Sequence, residues 1–335
     1  MRRREFLSLM GGSLMGGAAV ALPGRADAQI AAPAVASHWP QRVVRIIVPF
    51  VPGGGTDAVA RILAAGLSKS AGYQIVIENK GGGSTNIGTE AVAHAAPDGY
   101  TVLFCSLPFA INRFLFSTLG WDSFSDFAPA TLLATYPDLM AVPNTSPAKS
   151  VTEFIAYAKA NGGKTTFSSS GTGTSTHLAG ELFKRRAGIE MTHIPYRGAG
   201  PAVTDVIAGR IDVVFNTFGS TLSLVRDGQL RGLAVTSAQR FFAAPDLPTV
   251  AEAALPGFDV TAWYALYVPA ATPPDIVRKL NADAVAVLAE PGIRDKMEQL
   301  GVAVVGSSPA ELAQHLKAET ELWGPVIKAA NIRSE

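Results

Sequence analysis

The chain alternates short, β-branched apolar runs with amphipathic helical segments, and this alternation restricts the possible fold more than any other feature. Residues 43–48 are too short a run for a helix and predict a buried strand, whereas apolar side chains recur at helical spacing over residues 59–67. The same succession returns over residues 74–105 and 151–216. Strands that alternate with helices predict an α/β fold with mainly parallel sheets.

Two such series predict two lobes. With 335 residues and 48% hydrophobic content, the chain is long enough to bury the core of two medium domains. The second series begins near residue 143, and the proline-punctuated stretch before residue 260 leads into another extended segment. We therefore predict a first lobe from residues 40–142 and 260–335, and a second lobe from residues 143–259.

Residues 1–28 have the pattern of an export signal. Three arginines precede Phe6 and Leu7, a weakly apolar run rich in glycine follows, and Ala26-Asp27-Ala28 fits a cleavage site. The paired arginines and the soft apolar run favour the twin-arginine type, while the alternative is a disordered basic tail. No other window holds the roughly twenty apolar residues of a membrane span, so we expect a soluble periplasmic protein cleaved near Ala28.

Charge and cysteine content narrow the class of protein. A formal net charge of +1, with 16% charged residues, argues against a nucleic-acid partner. The single cysteine, Cys105, ends an apolar run and is expected to pack as a small hydrophobe. The five histidines show no metal-ligand spacing, so neither a metal nor another cofactor is expected.

Three glycine-rich loops lie between a strand and a helix: residues 49–57, 80–88 and 168–177, called here the first, second and third glycine loops. Glycine lets a ligand approach the backbone, and the partial positive charge of a helix N-terminus stabilises a carboxylate there. The alternative is that each loop is only a tight turn. Because ligands of open α/β sheets bind beyond the carboxyl ends of strands, we expect the three loops to converge on one cleft.

Other side chains allow weaker interpretations. Arg113 and Arg197 could clamp a carboxylate or form surface ion pairs, and His177 could bind a ligand or cap its helix. A hydrolase acting through Ser170 or Ser175, with His177 nearby, is a further alternative. The chain contains no complete phosphate-binding loop, nucleophile elbow or dinucleotide fingerprint, so no catalytic residue is predicted.

Several stretches together resemble a known family. They are VVRIIVPFVPGGGTD at residues 43–57, APDGYT at residues 96–101 and HIPYRG at residues 193–198, joined by the third glycine loop and the helix after it. The chain is similar to the substrate-binding receptors of tripartite tricarboxylate transporters, the Bug receptor family, over almost all of residues 39–325. This likeness implies a two-lobed periplasmic binding protein type II (Venus flytrap) fold.

The resemblance also implies a small organic carboxylate as ligand, held by backbone amides, hydroxyls and waters. The implied contacts from the first lobe are Val51, Pro52, Gly53, Gly54 and Thr56, and those from the second lobe are Ser169, Thr172, Gly173, Thr174 and Ser175. The second glycine loop departs from the family pattern, and Ser84 and Asn86 are its candidate contacts. Candidates for the distal group of the ligand are Ser106, Phe109, Asn112, Asn216 and Phe218.

Transport is the function that the resemblance implies. A monomeric receptor would present its ligand to integral-membrane permease subunits through transient contacts. The alternative from another class is an orphan receptor that reports ligand occupancy to a membrane sensor kinase.

Overall fold

The computed structural model describes residues 38–334. The strands in this range are β1 Val44–Val48, β2 Ile75–Asn79, β3 Thr101–Cys105, β4 Phe127–Pro143, β5 Thr166–Ser169, β6 Thr192–Pro195, β7 Val213–Thr217, β8 Leu230–Val235, β9 Thr261–Pro269 and β10 Ala303–Val304. The helices are α1 Gly55–Ser70, α2 Asn86–Ala93, α3 Pro108–Leu115, α4 Val151–Ala160, α5 Ser175–Ala187, α6 Ala199–Ile207, α7 Phe218–Arg226, α8 Val250–Ala253, α9 Pro274–Leu288, α10 Pro291–Gln299 and α11 Pro309–Ala329.

The strands form one continuous sheet with two regions that share β4. In the first sheet region, β2, β1 and β3 are parallel, and β9 and residues 127–137 of β4 follow in antiparallel pairing, with β10 also against β4. In the second sheet region, β6, β5 and β7 are parallel, and residues 138–143 of β4 pair antiparallel with β7 and β8. Strand β4 therefore passes from one region to the other between Pro137 and Asp138.

Apolar packing follows the periodicity of the sequence. Val59 and Leu63 of α1 share one buried cluster with Leu280 and Val287 of α9, which covers the first sheet region. Cys105 is buried in another cluster, as expected. These buried faces hold the helices rigidly against the sheet, which fixes the positions of the loops between them.

The amphipathic spacing of residues 307–323 predicts a last helix, which is present as α11. Ser308 caps it through a reciprocal capping box with Glu311, and Pro309 stands at its first turn. Leu312, Leu316 and Trp323 are buried along one face, as the spacing predicts.

The start of α1 differs from the prediction. The sequence predicts N-cap and first-turn chemistry from Thr56 and Asp57. Asp57 does lie in the first turn, but the N-cap is Gly54, with no side-chain hydrogen bond, and Thr56 lies inside the helix. Asp57 nevertheless reaches back and accepts a hydrogen bond from the Gly53 N–H at 2.9 Å. The aspartate therefore closes the loop in front of the helix.

Helices α3, α7, α8 and α10, the long strand β4 and the short strand β10 were not predicted. Strand β4 contains prolines at positions 129, 137 and 143, and proline argues against a central strand because it donates no backbone hydrogen bond. Helices α3 and α7 begin without a side-chain N-cap, so the usual start signal is missing.

The proposed export signal and its cleavage near Ala28 lie outside the described residues. The division into lobes 40–142 plus 260–335 and 143–259 stays a prediction, with β4 crossing between the sheet regions close to its first boundary. Among residues 38–334, no helix combines the length and the apolar character that crossing a membrane requires.

Candidate functional site

Five helices point their N-termini at one cavity of about 500 Å³, which we call the large cavity to distinguish it from an adjoining one of about 400 Å³. A separate groove of about 1050 Å³ lies at the C-terminal ends of α3 and α11. Each of the five helices directly follows a strand, so the large cavity lies beyond the carboxyl ends of strands from both sheet regions. The contributing segments are residues 54–56 before and in α1, 106–108 at α3, 174–176 at α5, 198–199 at α6 and 217–220 at α7.

The first turns of these helices leave backbone N–H groups for a ligand. Helices α1, α3, α6 and α7 have no side-chain cap. In α5 the His177 N–H donates a capping hydrogen bond to Thr174 Oγ1 at 3.3 Å. The described residues that line the large cavity include no lysine, arginine, histidine, aspartate or glutamate. Aligned peptide dipoles are therefore the source of positive potential here, and they suit an anion.

An ion-pair network holds the first glycine loop. The Asp57 carboxylate is buried and accepts hydrogen bonds from Arg61 Nε at 2.9 Å, the Gly53 N–H at 2.9 Å and Asn79 Nδ2 at 3.0 Å. The Arg61 hydrogen bond is the largest cause that holds the pKa of Asp57 at about 2. The Gly53 N–H is thus occupied by a hydrogen bond within the loop, while Gly54 and Thr56 line the large cavity.

Hydrogen bonds within the third glycine loop fix its shape. The Ser170 N–H donates to Thr176 Oγ1 at 2.9 Å, and Ser170 Oγ donates to Asn216 Oδ1 at 2.9 Å. Thr174 Oγ1 donates to the Gly171 carbonyl at 2.7 Å. The loop is therefore held in place before any ligand arrives.

A stacked histidine pair lies behind this loop. The rings of His177 and His193 are 3.8 Å apart, and burial lowers the pKa of His177 to about 3 and that of His193 to about 4. His177 Nδ1 accepts the Gly173 N–H at 3.2 Å, and His193 Nε2 lies 2.6 Å from Ser169 Oγ. Both histidines are neutral structural groups at pH 7.

The described residues form no serine–histidine pair at the cavity, so the hydrolase alternative lacks its nucleophile and base. His177 makes no hydrogen bond to Ser170 or Ser175 among the described residues, and Ser170 Oγ is engaged by Asn216. Ser169 does contact His193, but its side chain is fully buried, so a substrate has no access to it.

A second cavity of about 400 Å³, the small cavity, adjoins the large one, and both are lined by Phe50, Pro108, Ser170 and Thr174. The second glycine loop forms one wall, where Ser84 and Thr85 have positive φ values of 51° and 77°. All three glycine loops therefore meet, as expected from their positions after strands.

Asn112 holds the second glycine loop in its unusual conformation. Its side chain is fully buried, and Nδ2 donates to the Ser84 carbonyl at 2.7 Å and to Asn86 Oδ1 at 2.8 Å. This places Asn112 behind the loop, where it supports the cavity wall.

The structure brings together many of the residues predicted as ligand contacts. Gly54, Thr56, Ser106, Thr174 and Ser175 line the large cavity. Val51, Ser84, Thr172 and Gly173 line the small cavity.

Other predicted contacts line neither cavity. These are Pro52, Gly53, Asn86, Ser169 and Asn216. Asn216 is fully buried and orients Ser170, whereas Pro52 and Gly53 lie on the exposed outer side of the first glycine loop. Of the distal candidates, Phe218 lines the large cavity, and Phe109 stacks on Trp121 in the core.

Neither arginine lies at a cavity. Arg113 lies 3.8 Å from Asp122 and forms a surface ion pair, which was the alternative to a carboxylate clamp. Arg197 is exposed and lines neither cavity. Within residues 38–334, no cluster of three or more histidine, cysteine, aspartate or glutamate side chains could hold a metal ion.

Several cavity residues were missed by sequence reasoning. Tyr136 of β4 and Tyr264 of β9 stack with ring centroids 4.8 Å apart, and residues 299–302 close another side of the large cavity. These segments are far apart in the sequence and carry no glycine-loop signal. The sequence predicts an extended segment over residues 260–268, but not which face of it the ligand would meet.

Comparison with known proteins gives consistent matches along the chain. A family model described as "Tripartite tricarboxylate transporter family receptor" matches residues 59–332. Protein BugT of Bordetella pertussis is 33% identical over 305 residues, which cover 90% of this chain and 94% of BugT.

Solved structures extend the likeness to three dimensions. An R. palustris protein solved with adipate has 36% identity and a TM-score of 0.81, covering 88% of this chain and 99% of that one. MatC from Rhodopseudomonas palustris, with bound malate, has 33% identity and a TM-score of 0.75, covering 86% and 100%. These neighbours have the type II periplasmic binding protein fold, which confirms the predicted fold class.

Proposed function

Because the chain belongs to the tripartite tricarboxylate transporter receptor family, we propose that it captures a small organic carboxylate in the large cavity. The family consists of solute-binding receptors and not of enzymes, and the predicted resemblance to the Bug receptors is confirmed. The adipate and malate bound by the two structural neighbours support a carboxylate as the ligand of this chain.

The observation that carries this proposal is the convergence of five helix N-termini on a cavity without charged side chains. A cationic ligand would meet the positive ends of five dipoles, whereas a carboxylate accepts hydrogen bonds from their free amides. The cavity volume of about 500 Å³ is within the range of small-molecule sites.

Thermal unfolding with a panel of acids tests the proposal. A ligand at about a hundred times its Kd stabilises the folded protein by about 2.7 kcal/mol, so one of succinate, malate, adipate and citrate should raise the Tm by several degrees. Adipamide is the matched control for adipate, because it has the same chain without the charge. A shift with adipamide as large as that with adipate, or a shift with neutral sugars alone, would contradict the carboxylate assignment.

The receptor would act in the periplasm and deliver its ligand to the permease subunits of a tripartite transporter. The family of the chain and the predicted export signal support this role. Uptake of the identified acid into cells with and without the intact chromosomal copy tests delivery. Unchanged uptake, together with loss of a transcriptional response to the acid, would favour the sensor-kinase alternative.

A further inference from the structure

Asp138 stands at the point where β4 passes between the two sheet regions. Its side chain is fully buried. Its backbone N–H donates to Thr236 Oγ1 at 2.8 Å, and its carbonyl accepts the Thr236 N–H at 2.9 Å. The residue is therefore fixed in place by its main chain.

The carboxyl group of Asp138 lacks the partners that a buried charge needs. Neither of its oxygens has a hydrogen-bond partner among the described residues. Burial raises its pKa to about 7, Ser175 is the hydroxyl that acts to lower it, and no cation contributes. An unpaired buried carboxylate is costly, so the balance between its neutral and ionised forms is sensitive to any nearby charge.

This carboxyl group lies directly behind the wall of the large cavity. Thr217, its partner across the β4–β7 ladder, lines the cavity, as does Ser175. Tyr136 precedes it by two residues and therefore shares its face of the strand. Tyr136 and Tyr264 also line the cavity, and the Asp138 charge acts on both.

We propose that Asp138 couples ligand binding to protonation: its carboxyl group takes up one proton when a carboxylate binds in the large cavity. This inference rests on the proposed function of the cavity. A bound carboxylate and an ionised Asp138 repel each other across the part of the cavity wall formed by Ser175 and Thr217, in a medium of low dielectric constant. The O–H bond forms on the Asp138 carboxyl group, and the proton comes from the buffer.

Protonation also changes what Ser175 can offer. An ionised Asp138 draws the Ser175 hydroxyl toward itself, so the serine presents lone pairs to the cavity. A neutral Asp138 instead leaves the hydroxyl free to donate to a ligand carboxylate. Asp138 and Ser175 together therefore favour an anionic ligand only when Asp138 is protonated.

The groups that face Asp138 do not titrate near pH 7. Burial raises the pKa values of Tyr136 and Tyr264, so both phenols stay neutral. Ser175, Thr217 and Thr236, which approach from α5, β7 and the end of β8, carry hydroxyls that do not ionise in this range. His177 and His193 behind the third glycine loop have lowered pKa values of about 3 and 4 and also stay neutral.

Calorimetric titration with adipate and with malate between pH 6.5 and 8.5 tests the inference. Carboxylic acids have pKa values of about 4 to 5, so both ligands are ionised throughout. Repeating each titration in phosphate and in Tris, which differ in heat of ionisation, counts the protons exchanged. Uptake should approach one proton per bound acid at pH 8, and the affinity should fall about tenfold per pH unit above pH 7.

Two substitutions complete the test. Asp138→Asn should bind with no proton uptake and with an affinity independent of pH, because an amide resembles the neutral acid. Asp295→Asn, an exposed aspartate of α10, should behave like the wild type. If Asp138→Asn does not fold, the carboxyl ¹³C resonance of Asp138 in the wild type gives its pKa directly, and adipate should raise that pKa by at least two units.

The outcomes separate this inference from the proposed function. Binding of either acid without proton uptake overturns the role of Asp138 and leaves the receptor function intact. Proton uptake that persists in Asp138→Asn also overturns it. If neither acid nor any other carboxylate binds at any pH, the proposed function fails, and the inference fails with it.

Discussion

At the residue scale, Asp138 affects the stability of the fold as well as the binding of a ligand. Its pKa of about 7 in the folded protein lies above the value of about 3.9 for an unfolded chain. Folding is therefore penalised wherever the aspartate of the unfolded chain is ionised, because the folded protein must either take up a proton there or bury the charge. That penalty is absent below about pH 4, grows as the pH rises, and is complete above about pH 7.

Asp138→Asn should accordingly stabilise the protein in a pH-dependent manner. The free energy of unfolding should rise by about 4 kcal/mol at pH 8 and by about 1–2 kcal/mol at pH 5, since 1.36 kcal/mol corresponds to one pKa unit. Urea unfolding at the two pH values measures this difference. Asp295→Asn should change neither value by more than about 0.5 kcal/mol. An equal gain at both pH values would mean that ionisation is not the cause.

Asn112 is the residue on which the second glycine loop depends. Asn112→Ala removes three hydrogen bonds and leaves the Ser84 carbonyl without its buried donor, so we expect a loss of about 1–3 kcal/mol in the free energy of unfolding. Asn144→Ala is the matched control, because that side chain is exposed and makes one hydrogen bond, to the Gly228 carbonyl. Equal losses in the two variants would show that Asn112 has no special role.

At the scale of elements, the N-terminus of α7 packs directly on the turn that follows α10. A Cβ atom on Gly219 would lie 2.5 Å from the Leu300 carbonyl oxygen, which belongs to the backbone and cannot swing away. Both residues line the large cavity. The close approach therefore closes this side of the cavity, and a glycine is required for it.

Gly219→Ala should push the Leu300–Gly301 turn away and weaken binding of the identified carboxylate about tenfold or more, with some loss of Tm. Gly292→Ala in α10 is the control, since no atom lies within 4 Å of a Cβ atom there. Helix propensity alone makes that change neutral or slightly stabilising. Unchanged affinity in Gly219→Ala would show that the contact between Gly219 and Leu300 does not shape the binding cavity.

Elements with local signals were predictable, and elements that depend on distant pairing were not. Helix α4 begins at Val151 and ends at Ala160 as predicted, because Ser150 caps it and apolar residues recur at helical spacing. Strand β4 carries three prolines and is stabilised by pairing with β9, β7 and β8, all far away in sequence. No local pattern encodes such pairing.

The candidate site divides in the same way. The glycine loops can be recognised from their composition, so Gly54, Thr56 and Ser175 could be predicted as residues of the cavity. Tyr136 lines the cavity and Asp138 lies behind its wall because β4 crosses the sheet at that point. An isolated aspartate between a proline and a leucine has no feature in the sequence that distinguishes it from a surface residue.

At the scale of the whole molecule, three chain segments meet where the sheet regions join. Thr236 is fully buried, and its Oγ1 donates to the Val260 carbonyl at 2.7 Å and accepts the Asp138 N–H at 2.8 Å. The Val260 N–H in turn donates to the Thr236 carbonyl at 2.9 Å. One side chain therefore ties β4 to the segments that leave β8 and enter β9.

Thr236→Val keeps the shape of this side chain and removes its hydroxyl. Each buried group that loses its partner costs about 1–3 kcal/mol, so the free energy of unfolding should fall by at least about 2 kcal/mol. Thr204→Val, on an exposed face of α6, removes a hydroxyl that donates to the Gly200 carbonyl and should cost less than about 0.5 kcal/mol. Chemical denaturation of both variants decides whether the junction stabilises the molecule.

The helix N-termini around the large cavity have a consequence for how such a receptor diversifies. Every residue other than proline has a backbone N–H, so a point mutation in the first turn of α1 can change the side chain while the amide that faces the ligand remains. An anchor made of arginines would instead be lost with a single codon change. The side chains around this anchor are thus free to drift toward new acids, and capture of the shared carboxylate survives each intermediate step.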